Sequence, residues 1–176
     1  MADHPNNAPD SGSQSRGPSI RGARDVVIMR VDLRVPAGAN CLSFDFRFLS
    51  EEYPEFVGDA FNDAFIAELG HSTWTAATKQ DPTIKAPDNF AVDGTGSPIR
   101  INKVGATSMR SAYAKGTTYD GATRRLRAST RIRPGNRRLY LSIFDQGDRI
   151  YDSAVFLDNL RTSHAKACST GVRAAS

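Results

Sequence analysis

Apolar and polar side chains alternate along much of the middle of this chain, and a period of two predicts strands. Between Val26 and Val35 the apolar side is formed by Met29, Val31, Leu33 and Val35. Pro36, Ala37, Gly38, Ala39 and Asn40 then predict a turn. From Leu42 to Ser50, the side chains of Leu42, Phe44, Phe46 and Phe48 share one face, with Ser43, Asp45 and Arg47 on the other. Asp63 to Leu69 is a third strand candidate. Arg124 to Arg133 alternates again, with Leu126, Ala128, Thr130 and Ile132 opposite Arg125, Arg127, Ser129, Arg131 and Arg133. Pro134-Gly135-Asn136 turns into the apolar run from Arg138 to Phe144. Ser153 to Leu160 is apolar on both faces, which predicts a central position. A short helix is expected around Thr107 to Lys115, and the weakly patterned stretch from His71 to Pro98 is expected as an excursion over one end. Many short strands, Gly/Pro turns and no long helix predict an all-β fold, an antiparallel β-sandwich with short helical insertions.

A length of 176 residues suits one domain with a core of its own. Residues 1–22 are rich in Asn, Pro, Ser, Asp and Gly and read as a disordered tail. Residues 163–176 read as a flexible C-terminal tail, which leaves 23–162 as the folded domain. No apolar run is long enough to span a membrane as a helix, so membrane insertion is not expected. The N-terminal residues show no signal-peptide core. Two cysteines, Cys41 and Cys168, exclude a disulfide-dense scaffold and a four-cysteine zinc site.

The net charge of +4 hides a strong asymmetry. From Cys41 to Leu69 seven acidic residues face one arginine, whereas from Arg100 to Arg138 eleven basic residues face one acid. The segment from Ser50 to Asp63 holds Glu51, Glu52, Glu55, Asp59 and Asp63 together with Asn62. Hard cations such as Ca²⁺ take oxygens of this kind, although the spacing is not that of an EF-hand. A solvated loop with Tyr53, Phe56 and Phe61 packed inward is the alternative. A second acidic segment carries Asp145, Asp148 and Asp152 and reads either as a rim to the first or as an ordinary polar turn. Around the Asp120-Gly121 turn, Tyr119 either offers a ring to a sugar or peptide or closes the core edge. The arginine stripe fills outward strand positions and fits a solvated sheet face that resists edge pairing. No nucleic-acid-binding pattern accompanies it, so nucleic acid is not an expected partner. Catalysis finds little support: no GxSxG, HExxH or Walker loop is present, and adjacent Glu51 and Glu52 on a strand would point to opposite faces.

Four stretches make a resemblance specific: LSFDFRFLSEEYPEFVGDAFNDAFIAEL, then PDNFAVDG, then GTTYDGATRRLRA, then LSIFDQGDRIYDSAVFLDNLR. Together they resemble the choice-of-anchor L domain family from about Gly22 to Arg161. The resemblance implies a jelly-roll-like sandwich in a secreted or surface-displayed bacterial protein, with adhesion or ligand capture as its task. The motif residues carried over by position are Glu51, Glu52, Tyr53, Asn62, Asp63, Tyr119, Asp120, Gly121, Asp148, Asp152 and Asp158. In an oxidising compartment Cys41 and Cys168 would suit one disulfide tying the C-terminal tail to the sandwich; otherwise they are free thiols.

The expectation is a non-enzymatic extracellular recognition module. Ca²⁺ held by Glu51, Glu52, Asn62, Asp63, Asp145, Asp148 and Asp152 would stiffen the loops at one end. Tyr53, Trp74, Tyr119 and Asp120 would contact a glycan or peptide. The alternative is an assembly domain whose sandwich faces contact other chains, and a hydrolase is third. The oligomeric state is left open by the sequence.

Overall fold

The computed structural model describes residues 22–77, 83–146 and 151–175. The strands are β1 (Ala23–Val35), β2 (Cys41–Ser50), β3 (Ala64–Leu69), β4 (Thr75–Ala76), β5 (Ile84–Lys85) and β6 (Ile99–Arg100). They continue with β7 (Met109–Arg110), β8 (Gly121–Thr123), β9 (Leu126–Arg131), β10 (Gly135–Gln146), β11 (Ser153–Ser163) and β12 (Gly171–Ala174). Among the described residues, helix is limited to a π-type turn at Ile101–Gly105, which runs on through 106–107, and the single turn α1 (Ser111–Ala114). The expected helix over Thr107 to Lys115 is thus interrupted by β7.

Two antiparallel sheets face each other. One has the order β1-β10-β3-β6. The other runs β12-β9-β2-β8-β7, with β11 on the free edge of β2. The alternation seen in the sequence sets what lies between them: Phe44, Phe46, Leu126 and Ala128 from the second sheet meet Phe65, Leu139 and Leu141 from the first. Phe65 packs on Phe46 at 5.1 Å and meets Phe44 edge-on at 6.2 Å, a geometry that aromatic quadrupoles favour.

Three expectations are corrected. β11 is an edge strand rather than a central one, and its Phe156, Leu157 and Leu160 are 55%, 38% and 41% exposed. An apolar pattern on both faces reports what a strand could bury, and one flank of this sandwich is uncovered. The described residues of the excursion from His71 to Pro98 divide: Phe90 and Ala91 enter the core between the sheets, and the earlier part lies against the outer face of the first sheet. There Trp74, Ala76 and Ile84 join Ile66 and Phe144 in a second apolar cluster. The C-terminal segment is not a loose tail: β12 pairs with β9, and Cys168 is disulfide-bonded to Cys41 with Cα atoms 5.6 Å apart. Composition gave no hint of this order, because β12 contributes little more than Val172 to the core.

One buried carboxylate, Asp45, has an arginine partner. Asp45 lies on the outer face of β2, opposite Arg127 in the register with β9. Arg127 donates Nε to Oδ1 at 2.6 Å and Nη2 to Oδ2 at 3.0 Å, and Asn159 donates Nδ2 to Oδ2 at 2.9 Å. Asn159 sits at an irregularity of β11 with φ of +53°, a left-handed conformation that Asn adopts more readily than most residues. One arginine of the stripe is thereby a strut. Another, Arg137, folds back onto the carbonyls of Arg133, Pro134 and Asn136.

Candidate functional site

The connection from β2 to β3 crosses from the second sheet to the first, and the connection from β10 to β11 crosses back. β2 pairs with β11 through Ser50 and Ser153, and β3 pairs with β10 through Ala64 and Phe144. Both crossovers therefore leave the sandwich at the same end, which brings their described flanks, Glu51 and Asp63 on one and Gln146 and Tyr151–Ser153 on the other, side by side. That topology gathers acidic residues about ninety positions apart in the chain.

The contacts are specific. Ser153 donates Oγ to Asp63 Oδ2 at 2.7 Å, and the Gln146 amide donates to Asp63 Oδ1 at 3.2 Å. Glu51 and Asp152 meet through their backbones, with Glu51 N–H donating to the Asp152 carbonyl at 3.1 Å. Asp152 N–H also approaches Glu51 Oε2 at 3.4 Å. Phe56 of the first loop packs on Tyr151 of the second at 5.3 Å and on Phe61 at 5.5 Å. Glu51, Glu52, Asp63 and Asp145 are all buried.

Asp145 carries the electrostatic consequence. Burial, followed by the charges of Asp63 and Asp152, pushes its carboxyl far above the usual carboxylate range. A hydrogen bond with Asp63 adds to this, and Asp25 contributes as well. The Oδ2 atom of Asp145 is buried and accepts no hydrogen bond among the described residues.

A cleft of about 440 Å³ opens beside this cluster, lined by Tyr53, Pro54, Glu55, Ala114, Lys115, Thr117, Tyr119 and Asp120. Three of the four expected ligand contacts share it. Tyr53 reaches it because Gly121, next to Asp120, has no side chain: a Cβ there would strike the Tyr53 ring. Tyr119 joins cleft and acids, since burial and then Asp152, Glu51 and Asp145 raise its hydroxyl above the ordinary tyrosine range.

Other expected residues have different surroundings. Trp74 is 3% exposed and stacks on Phe144 at 4.1 Å, which withdraws it from any ligand surface. A large ring adjacent to an apolar outer sheet face buries more area there than in a wet cleft. Asn62 is spent on the loop: its Oδ1 accepts from Asn102 N–H at 3.2 Å, and its Nδ2 points to Gln146 Oε1 at 3.4 Å. Asn102 in turn binds Gly58 N–H at 2.6 Å and the Asp59 carbonyl at 2.7 Å. Asp148 lies outside the described residues. Among the described residues, no three His, Cys, Asp or Glu side chains are arranged to hold a metal ion. Gln146, Ser153 and Asn102 escaped the sequence reading; only their neighbourhood to acids on strand ends signalled them.

The choice-of-anchor L domain model matches residues 14–161, most of the chain. The chain belongs to the choice-of-anchor L domain family. No curated protein and no solved structure matched it. Choice-of-anchor domains are typically non-catalytic and surface-associated, and membership implies a secreted or cell-surface-anchored protein. No helix among the described residues of this choice-of-anchor L domain is long and apolar enough to cross a membrane.

Proposed function

We propose that this choice-of-anchor L domain is a recognition module that takes a glycan or peptide in the Tyr53–Tyr119–Asp120 cleft, with Ca²⁺ stiffening the loops beneath it. The observation that carries the reading is the contiguity of cleft and acids, joined at Tyr119. A cavity of this size falls within the range of about 300–1,000 Å³ common for small-ligand sites. Tyrosine rings offer apolar faces to sugar C–H groups or side chains, while Asp120 and Lys115 offer polar partners.

Calcium is the cation whose chemistry suits the donors, because it takes six to eight oxygens in flexible geometry. Buried like charges are costly without a counter-charge, and the lone Oδ2 of Asp145 is the kind of donor such an ion would recruit. Glu51, Glu52, Asp63, Asp145 and Asp152 would supply the oxygens only by drawing together around the ion, because no three of them are arranged to hold it without one. Fixed loops lose less entropy on binding a ligand than mobile ones.

Thermal unfolding with millimolar calcium and with chelator tests the metal. A bound ion raises the melting temperature, and Glu52→Ala and Asp63→Ala abolish the rise. Identical melting in calcium and chelator defeats the calcium reading. A glycan and peptide array, run with the native protein and Tyr119→Ala, tests the cleft; binding that is indifferent to Tyr119 places recognition elsewhere.

A further inference from the structure

Five of the six large apolar side chains that stand exposed among the described residues lie on one flank of the sandwich. Val27 and Met29 belong to β1, the edge of the first sheet, and are 48% and 43% exposed. Leu157 and Leu160 of β11, the edge of the second, turn toward the first sheet, whereas Phe156 pairs with Arg47 and turns to the outer face. Between the two edges runs a mainly apolar groove of about 220 Å³ lined by Met29, Val31, Leu157 and Leu160, with Phe44 and Leu141 also lining it and Asp158 and Asn159 as its polar members. Isolated exposed apolar residues are ordinary, but a contiguous set along two sheet edges marks an interaction surface.

The side chains of β1 alternate in a way that suits a second copy of the same edge. Odd-numbered residues from Val27 to Val35 face the second sheet, as their pairing with Leu139, Leu141 and Ile143 fixes. Arg30 and Asp32 stand on the outer face, more than half exposed and 3.2 Å from each other. Consider a second β1 laid antiparallel along this edge with a two-fold axis at Val31. Met29 then faces Leu33 of the second copy, Val27 faces Val35, and each Arg30 faces an Asp32. Shifting the register by two residues one way sets Arg30 against Arg30. The other way sets Asp32 against Asp32 and Arg30 against Arg34. A one-residue shift turns the apolar set to the wrong face. Charges weigh against the two neighbouring registers; an axis at Leu33 would again set each Asp32 against an Arg34, but it pairs only Val31–Val35 and leaves Val27 and Met29 uncovered, so charge and overlap together favour Val31.

We infer that the β1 edge is a homodimer interface, in which two copies join their first sheets antiparallel about Val31. The axis stands perpendicular to the sheet, so both inner faces stay on the same side. The two β11 edges then approach each other over the axis and cover the groove. Such an interface is isologous: one patch, self-complementary in shape and charge. It is independent of the ligand and the cation proposed above.

Size-exclusion chromatography with light scattering on the full oxidised chain reads the outcome. The expected species has twice the chain mass of 19.1 kDa. Arg30→Asp and Asp32→Arg each place like charges opposite one another twice and weaken the dimer by about tenfold or more. Neither side chain touches the core, and far-UV circular dichroism checks that both variants are folded. Mixing the two variants sets the new carboxylate at position 30 against the new guanidinium at position 32 and restores the dimer; the double variant dimerises alone. A native chain that stays monomeric up to its solubility limit overturns the inference and leaves the groove to a foreign segment. A dimer unmoved by either single change, or single variants that fail to recover on mixing, overturns it equally.

Discussion

Protonation of Asp45 should weaken the fold by an amount the structure sets. This carboxylate accepts both arms of Arg127 and the Asn159 amide while buried on the outer face of the second sheet. The hydrogen bond with Arg127, acting against burial and helped by Asn159, lowers its pKa from 3.8 to about 2. At about 1.36 kcal/mol for each tenfold change in proton affinity, that preference contributes about 2.4 kcal/mol at neutral pH. The folded value lies below the unfolded one, so the contribution is complete above about pH 5 and drains away as pH falls toward about 2. Guanidinium unfolding of the native chain and of Asp45→Asn across that range isolates the effect, because titrations elsewhere cancel in the difference. The stability gap between the two proteins should shrink by about 2 kcal/mol between about pH 5 and pH 2. A gap that is constant with pH would show that the pair contributes nothing as an ion pair. Collapse of the gap above about pH 4 would place the carboxylate in an ordinary solvated setting.

Three further outcomes follow from the packing. Reducing the Cys41–Cys168 bridge frees a loop of 127 residues in sequence separation and should lower stability by about 5 kcal/mol on the chain-entropy account, read from guanidinium midpoints with and without reductant; a change under about 1 kcal/mol would refute the constraint. Gly121→Ala drives a methyl into Tyr53, ring and Cβ alike, and should cost about 1–3 kcal/mol in the same unfolding assay, with Tyr53→Gly relieving most of that cost in the double variant; additive costs would mean that the two residues do not touch. Trp74→Ala removes the ring stacked on Phe144 and should cost about 3–5 kcal/mol while leaving array binding intact in the protein that remains folded; lost binding at unchanged stability would return Trp74 to the ligand surface.

Much of this protein is written in its local pattern. Alternation at Leu42, Phe44, Phe46 and Phe48 specified a strand and its inward face, because the pleat imposes a period of two on any half-buried strand. The same logic located β1, β3, β9 and β10, and the turn at Pro134–Asn136. The crowding of acids between Glu51 and Asp63 was visible as a charge that needs an explanation. Local pattern could not say where strands lie in a sheet. It made β11 central, whereas the tertiary structure leaves it on an edge with apolar side chains exposed. Nor could it reveal that residues 163–175 are ordered, since a bridge to Cys41 and a ladder to β9 hold them rather than their own composition. The fate of Trp74, the joining of Asp63 to Ser153 and the meeting of Tyr53 with Gly121 all depend on two crossovers leaving the sandwich at one end or on an outer face being covered. Such contacts join residues tens of positions apart. Their energies belong to packing and topology, which short-range periodicity does not encode.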